Sequence, residues 1–275
     1  MYWAEDKFRT VMNREAFTDF SDEATAYFFG LLLADGNVAK DRARIKITLK
    51  VDDIDILHKL REYLCCTNEV KTFSRYGGEY AILTFSSKEV KDRLAIQNLL
   101  PCKSTQEKLP NFDWLSNRHF WRGMVDGDGS LFYNGEGQRL CLLGSKEIVD
   151  GFNLFAQEVA NCSLKNIHAH TTSKMVNYVN FSGFDAKKIA EVLYKDSNFH
   201  LDRNKILADK FSTYVRKNTG TGKAGVTFCK TKKKYLAKIS INKKVHSLGS
   251  FTNFEDAVAA REAAELKYFG RLKGN

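Results

Sequence analysis

The chain has 275 residues, 43% hydrophobic and 12% aromatic, which excludes a disordered polyion and fits about two folded domains. No apolar run reaches about 18 residues, and the opening MYWAEDKFRT lacks the apolar stretch of a secretion signal. The six cysteines form no CxxC pair, which argues against zinc and for reduced thiols. An intracellular protein is expected, in the cytoplasm or wherever its partner lies.

The net charge of +10 is unevenly placed. From Lys217 onward there are 13 Lys/Arg against 4 Asp/Glu, while the first 216 residues are nearly balanced. Between Lys217 and Phe254 stand nine lysines and no acid, the footprint of a polyanion binder.

In chain order, the first candidate helix ends in GLLLADGN, residues 30–37. Residues 42–51, RARIKITLKV, alternate as a half-buried strand. Its exposed face is basic or polar: Arg42, Arg44, Lys46, Thr48 and Lys50. A helix is expected through DDIDILHKLREYL, a hairpin around Gly77-Gly78, and a helix through SKEVKDRLAI. The order then returns. GMVDGDGS, residues 123–130, ends a second candidate helix. A hairpin around residues 134–137, the helix KEIVDGFNLFAQEV, two strands in NIHAHTTSKMVNYVNFS and the helix DAKKIAEVLY follow. RKNTGTGKAG, residues 216–225, reads as a linker. Its Gly222-Lys223 is followed by Ala224, so it is not a phosphate loop. Three short strands and a helix from about Phe254 to Phe269 close the chain. Its expected packing stripe is Ala257, Ala260, Ala264 and Tyr268, with Lys238 and Ser240 facing outward from the second strand.

The two octets are 93 residues apart, which marks a duplicated domain rather than a solenoid repeat. Gly30 and Ala34 share one helix face, as do Gly123 and Gly127. Small residues at this spacing allow two helix backbones to approach closely. Asp35 and Asp128 then come together at helix C-termini, with Gly36 and Gly129 expected as left-handed caps. An acid is unfavourable at that pole and a cation favourable. Two carboxylates and free carbonyls make a hard oxygen site that suits Mg2+, which retains waters and shares phosphate oxygens. Metal ions near a phosphodiester activate water and stabilise the leaving oxygen.

The stretches Phe28–Gly36 and Trp121–Gly129 resemble the doubled motif of the LAGLIDADG homing endonuclease family, and the resemblance extends over about residues 17–216. Leu33 departs from the motif, where Asp126 keeps its first acid. The resemblance implies an α+β fold of tandem αββαββα repeats with pseudo-twofold symmetry, a first half over 1–113 and a second over 114–216. It implies a monomer acting as a pseudo-dimer that cuts both strands of a long, imperfectly palindromic double-stranded DNA site. Asp35 and Asp128 would be the catalytic acids. Two or three Mg2+ ions, shared with DNA phosphates, would take these acids and the Ala34 and Gly127 positions. Lys103 and Lys205, with Arg203 close by, would be the basic residues beside the acids. The sheets would lie in the major groove, adding Lys71, Arg75, Arg139, His168, His170 and Lys174 to the basic strand as DNA contacts. Residues 225–275, after a linker over 217–224, resemble the apetala-two type of DNA-binding domain, a small three-stranded sheet plus one helix. Lys232, Lys234, Lys238, Ser240 and Lys243 would be its DNA contacts. A non-cleaving maturase or regulator on the same scaffold, and a strand-specific nickase, are the alternatives.

Overall fold

The computed structural model describes residues 10–103, 106–134, 137–171, 173, 175–213, 223–241 and 244–270. The chain divides into two compact units, Met1–Tyr214 and Val215–Asn275.

The first unit is built twice over. Its first half runs α1 (Glu23–Asp35), β1 (Gly36–Val38), β2 (Arg44–Lys50), α2 (Ile54–Tyr63), β3 (Lys71–Arg75), β4 (Gly78–Ser86) and α3 (Lys88–Ile96). The second half runs α4 (Arg118–Asp128), β5 (Gly129–Tyr133), β6 (Gln138–Gly144), α5 (Lys146–Glu158), β7 (Ile167–Ala169), β8 (Asn177–Ser182) and α6 (Phe184–Tyr194). One more helix, α7 (Asp202–Ser212), follows and packs on α6 and β5. Each half is therefore αββαββα. Its four antiparallel strands are ordered β1-β2-β4-β3 in the first half and β5-β6-β8-β7 in the second. The β3–β4 hairpin turns at Tyr76 and Gly77, both at positive φ, as a two-residue turn between twisted strands requires.

Side-chain oxygens start the helices. Asp22 accepts from Thr25 N at 2.9 Å, Asn117 caps α4, and Ser87 and Ser145 cap α3 and α5. Helix α1 is buried over residues 24–33, apolar on every side, as a helix at the centre of a core must be. One hydrophobic core, from Val11 to Phe211, runs through both halves.

Helices α1 and α4 cross through their glycines. A methyl group on Gly30 would overlap the Phe120 carbonyl oxygen and lie 3.2 Å from Gly123 Cα. A methyl on Gly123 would overlap the Tyr27 carbonyl oxygen and lie 2.8 Å from Leu31 N. Tyr27 and Phe120, like Gly30 and Gly123, are 93 positions apart, so the contact is its own mirror under the repeat. The small-residue face works as the spacing predicts.

The caps differ from expectation. Gly36 has φ −73° and ψ 149°, and Gly129 has φ −96° and ψ 173°, so both are extended rather than left-handed. Each helix passes directly into a strand, and each glycine N–H bonds back to its own helix, at Leu32 O and Val125 O. A side chain at either glycine would strike that same residue, Leu32 or Val125. Glycine is needed for the close return of the chain, not for positive φ.

In the second unit, β9 (Val226–Cys229), β10 (Lys234–Ile241) and β11 (Lys244–Phe251) form an antiparallel sheet in the order β11-β10-β9, followed by α8 (Phe254–Phe269). Val226, Ala237 and Ala257 form its small core. The helix stripe is corrected to Ala257, Arg261, Ala264 and Glu265, all buried, while Tyr268 is 49% exposed. Arg261 Nε donates to Glu265 at 2.8 Å, and its Nη1 donates to the Lys238 carbonyl. This pair closes the helix onto β10, where the expected stripe held three alanines and Tyr268.

Candidate active site and nucleic-acid interface

Asp35 and Asp128 are the last residues of α1 and α4. The glycine crossing brings the two helix ends together: a methyl on Gly127 would overlap Ala34 Cβ and lie 3.1 Å from Asp35 Oδ2. Asp35 reaches solvent at one edge and Asp128 is half-buried, while protein atoms surround most of each carboxyl at the helix crossing. Loss of surrounding water raises both carboxyls above the ordinary aspartate value. Asp128 is pushed up to about 7, first by burial and then by the charge of Asp35. Lys103 and Arg203 pull Asp35 the other way.

Lys103, in the connection after α3, donates from Nζ to the Ala34 carbonyl at 2.7 Å. Burial lowers its affinity for a proton, and Asp128, Glu107 and Asp35 restore it in that order. Glu107 also raises Asp128, so the lysine stands among three carboxylates. Lys205 is placed differently from expectation. Its Nζ binds Asp209 at 2.6 Å, one turn along α7. Arg203 takes the place beside the acids instead. It pairs with Asp53 at 3.1 Å, and its Nη2 donates to the Asp126 carbonyl at 3.3 Å.

Asp126 has a separate role. It is fully buried and accepts four hydrogen bonds: from Tyr27 (2.8 Å), Tyr194 (2.6 Å), Leu201 N (2.8 Å) and Asn204 Nδ2 (2.8 Å). Burial raises its proton affinity, and the four donors oppose that rise. The carboxylate ties the end of α4 to α1, α6 and the start of α7. Its repeat mate is Leu33 and the mate of Tyr27 is Phe120, both apolar and fully buried. The acid and its donor are thus lost together in the other copy, which accounts for Leu33.

Pairing fixes which residues occupy the uncovered face of each sheet. In the first, Ile45, Ile47, Leu49, Ala81, Leu83 and Phe85 are buried against the helices. Arg44, Lys46, Thr48, Lys50, Lys71 and Arg75 occupy the opposite face, with Arg75 laid over Tyr76 at 4.6 Å. Arg42 is exposed in the loop before β2, which starts two residues later than the alternation suggests. Asn37, Ala39, Arg44, Lys46, Ile82 and Thr84 line a hollow of about 330 Å³ on this face. In the second sheet, Arg139 and His168 are on the uncovered face, and His170 lies just beyond the end of β7. In the second unit, Lys234, Lys238 and Ser240 are exposed on β10 and Lys232 in the turn before it. Lys174, Lys243 and all of the expected linker except residues 223–224 lie outside the described residues.

Among the described residues, no group of three or more His, Cys, Asp or Glu side chains is arranged to hold a metal. No helix among them is long and apolar enough to cross a membrane.

Fold and site together define a class: a pseudo-symmetric α+β protein with one acid pair where its two halves meet. No family profile matches the chain, and no curated protein matches it. Solved structures with similarity to it include the LAGLIDADG homing endonuclease I-GzeII in complex with its DNA target. That match has 11% identity and a TM-score of 0.48, covering 67% of this chain and 87% of that one. The homing endonuclease I-WcaI bound to its DNA recognition sequence has 15% identity and a TM-score of 0.49, over 70% and 88%. The N-terminal LAGLIDADG domain of DUF199/WhiA has 15% identity and a TM-score of 0.47, over 74% and 96%.

Proposed function

We propose that this chain is a metal-dependent endonuclease of double-stranded DNA, of the kind its doubled motif resembles. One observation carries the reading: Asp35 and Asp128 meet at the ends of two crossed helices, each where its helix passes into a strand. Nothing in folding favours that arrangement. Each acid sits at the negative pole of its helix, and each is raised by desolvation. Such a pair is costly unless a cation joins it.

The donor set fits a hard divalent ion: two carboxylates, with backbone carbonyls at Ala34 and Gly127. A bound Mg2+ supplies Lewis-acid polarisation of the phosphodiester and a water of lowered pKa. The chain's own residues then have defined tasks. Asp35 and Asp128 would hold the ion. Lys103 and Arg203 place positive charge beside the acids, where negative charge builds up during displacement. Asp126 holds α4 and α7 in register, and with them Asp128 and Arg203. The basic strand β2 and its neighbours lie on the duplex, and the lysine-rich second unit adds a second contact.

A non-cleaving DNA or RNA reader is the second reading, and one contact favours it. The Lys103 ammonium already sits on the Ala34 carbonyl among the acids, where it offsets their charge without a metal. Selection of cut sites from a randomised duplex library in Mg2+ separates the two. The nuclease reading expects enrichment of one long site cut on both strands. Binding with no cutting under any divalent ion supports the reader instead.

A further inference from the structure

The two sheets share a strand order but not a charge. Pairing sets the equivalences. Gly36 pairs with Ile47 and Ile47 with Leu83, as Gly129 pairs with Leu142 and Leu142 with Val179. Counted from those rows, Arg44 corresponds to Arg139, Lys46 to Cys141, Thr48 to Leu143 and Ile82 to Tyr178. Lys71 lies across from Ile82 as His168 lies across from Tyr178, so these two are mates as well. Lys50 corresponds to Ser145, which is already used to cap α5.

Among the described residues, the second face therefore keeps one arginine, Arg139. Its other ladder positions are neutral or aromatic: Cys141, Leu143, and a His168–Tyr178 stack with ring centres 5.4 Å apart. Phe132, on the neighbouring β5, is 54% exposed on the same face. The first face adds shape to its charge. Arg44 and Lys46 border the 330 Å³ hollow, and the loop beside it is fixed by Lys91. That lysine donates to the carbonyls of Ala39 (2.7 Å), Lys40 (3.3 Å) and Arg42 (3.0 Å).

We propose that, among the described residues of the first unit, the ionic grip on duplex phosphates belongs mainly to the first sheet. The second sheet meets its half of the duplex mainly through neutral and aromatic contacts, with Arg139 as its one cation. The first sheet thus sets affinity and engages first, because only charge acts at a distance. The second adds contact with base and sugar edges, which carries sequence information but releases few counterions. This rests on the duplex-binding part of the proposed function, not on cleavage.

The test is binding of the full chain to a duplex of about 30 base pairs of arbitrary sequence, by fluorescence anisotropy across a salt series. Each phosphate neutralised contributes about 0.9 to the slope of log affinity against log salt. Lys46→Gln with Lys71→Gln is expected to flatten the slope by about 1 to 2. Arg139→Gln with His168→Gln, which removes the one full positive charge of that face, is expected to flatten it by no more than about half as much. Cys141→Lys with His168→Lys should steepen it by about 1 to 2, because that sheet also faces the duplex. All six substitutions replace side chains on an uncovered face, so melting temperatures serve as the control for folding. Equal losses from the two Gln pairs, or no gain from the added lysines, overturn the inference while duplex binding stands. An unaltered chain that binds no duplex overturns the proposed function as well.

Discussion

At the residue scale, the acid pair makes a pH prediction whose sign is fixed. Asp128 is raised to about 7, against about 4 in an unfolded chain. The folded state then holds the proton more tightly, so stability falls as pH rises from about 4 to about 7. Asp128→Asn removes that loss. Its melting temperature should match the unaltered chain near pH 3 and exceed it at pH 8, read by thermal melts across pH. A variant less stable than the unaltered chain at pH 8 would contradict the buried-charge account. Asp126 predicts the opposite. Its four donors all need an acceptor, and an asparagine offers one oxygen and an amide that faces donors. Asp126→Asn should cost about 3 kcal/mol or more, measured by denaturant unfolding at pH 7. Leu33→Asn, at the repeat mate, buries an amide among apolar neighbours and gives no such test of a network.

Some residues were legible in the sequence for definite reasons. Asp35 and Asp128 stood out because an acid before a glycine recurred in register with a whole-domain repeat. Arg203 stood out only as a neighbour of Lys205, two positions away. On a helix those positions point to nearly opposite faces, and only the placement of α7 decides which one meets the acids. The Tyr27–Asp126 bond was hidden because its partners are 99 positions apart in the chain. Read afterwards, the paired loss to Phe120 and Leu33 was a visible trace of it.

At the scale of elements, the α1–α4 crossing carries the fold. Gly30 and Gly123 each lie against backbone atoms of the other helix, which have no room to give. Gly30→Ala should therefore destabilise the protein by about 3 kcal/mol or more, although alanine favours a helix. Gly77→Ala in the β3–β4 turn strains φ but meets no atom within 4 Å, so its cost should be nearer 1 kcal/mol. Equal costs in denaturant unfolding would mean that backbone conformation, not close helix approach, sets the need for glycine at the crossing. The strands were read well because alternation records burial directly. The helix of the second unit was read less well. Arg261 and Glu265 are buried as a pair, and periodicity treats charged residues as surface.

At the scale of the whole molecule, two compact units share one chain, and the excess positive charge lies in the smaller. Truncation after Tyr214 should leave the acid pair intact but weaken duplex binding and flatten its salt dependence. Salt-series anisotropy of the truncated chain measures both, and an unchanged slope would remove the second unit from the DNA contact.

The central claim concerns the acid pair. Its most direct measurement is single-turnover, strand-resolved cleavage of a selected duplex in Mg2+, by the unaltered chain and by Asp35→Asn and Asp128→Asn. The account predicts cuts on both strands by the unaltered chain and double-strand cleavage abolished in each variant, with duplex affinity retained. Full double-strand cleavage by either variant would contradict it.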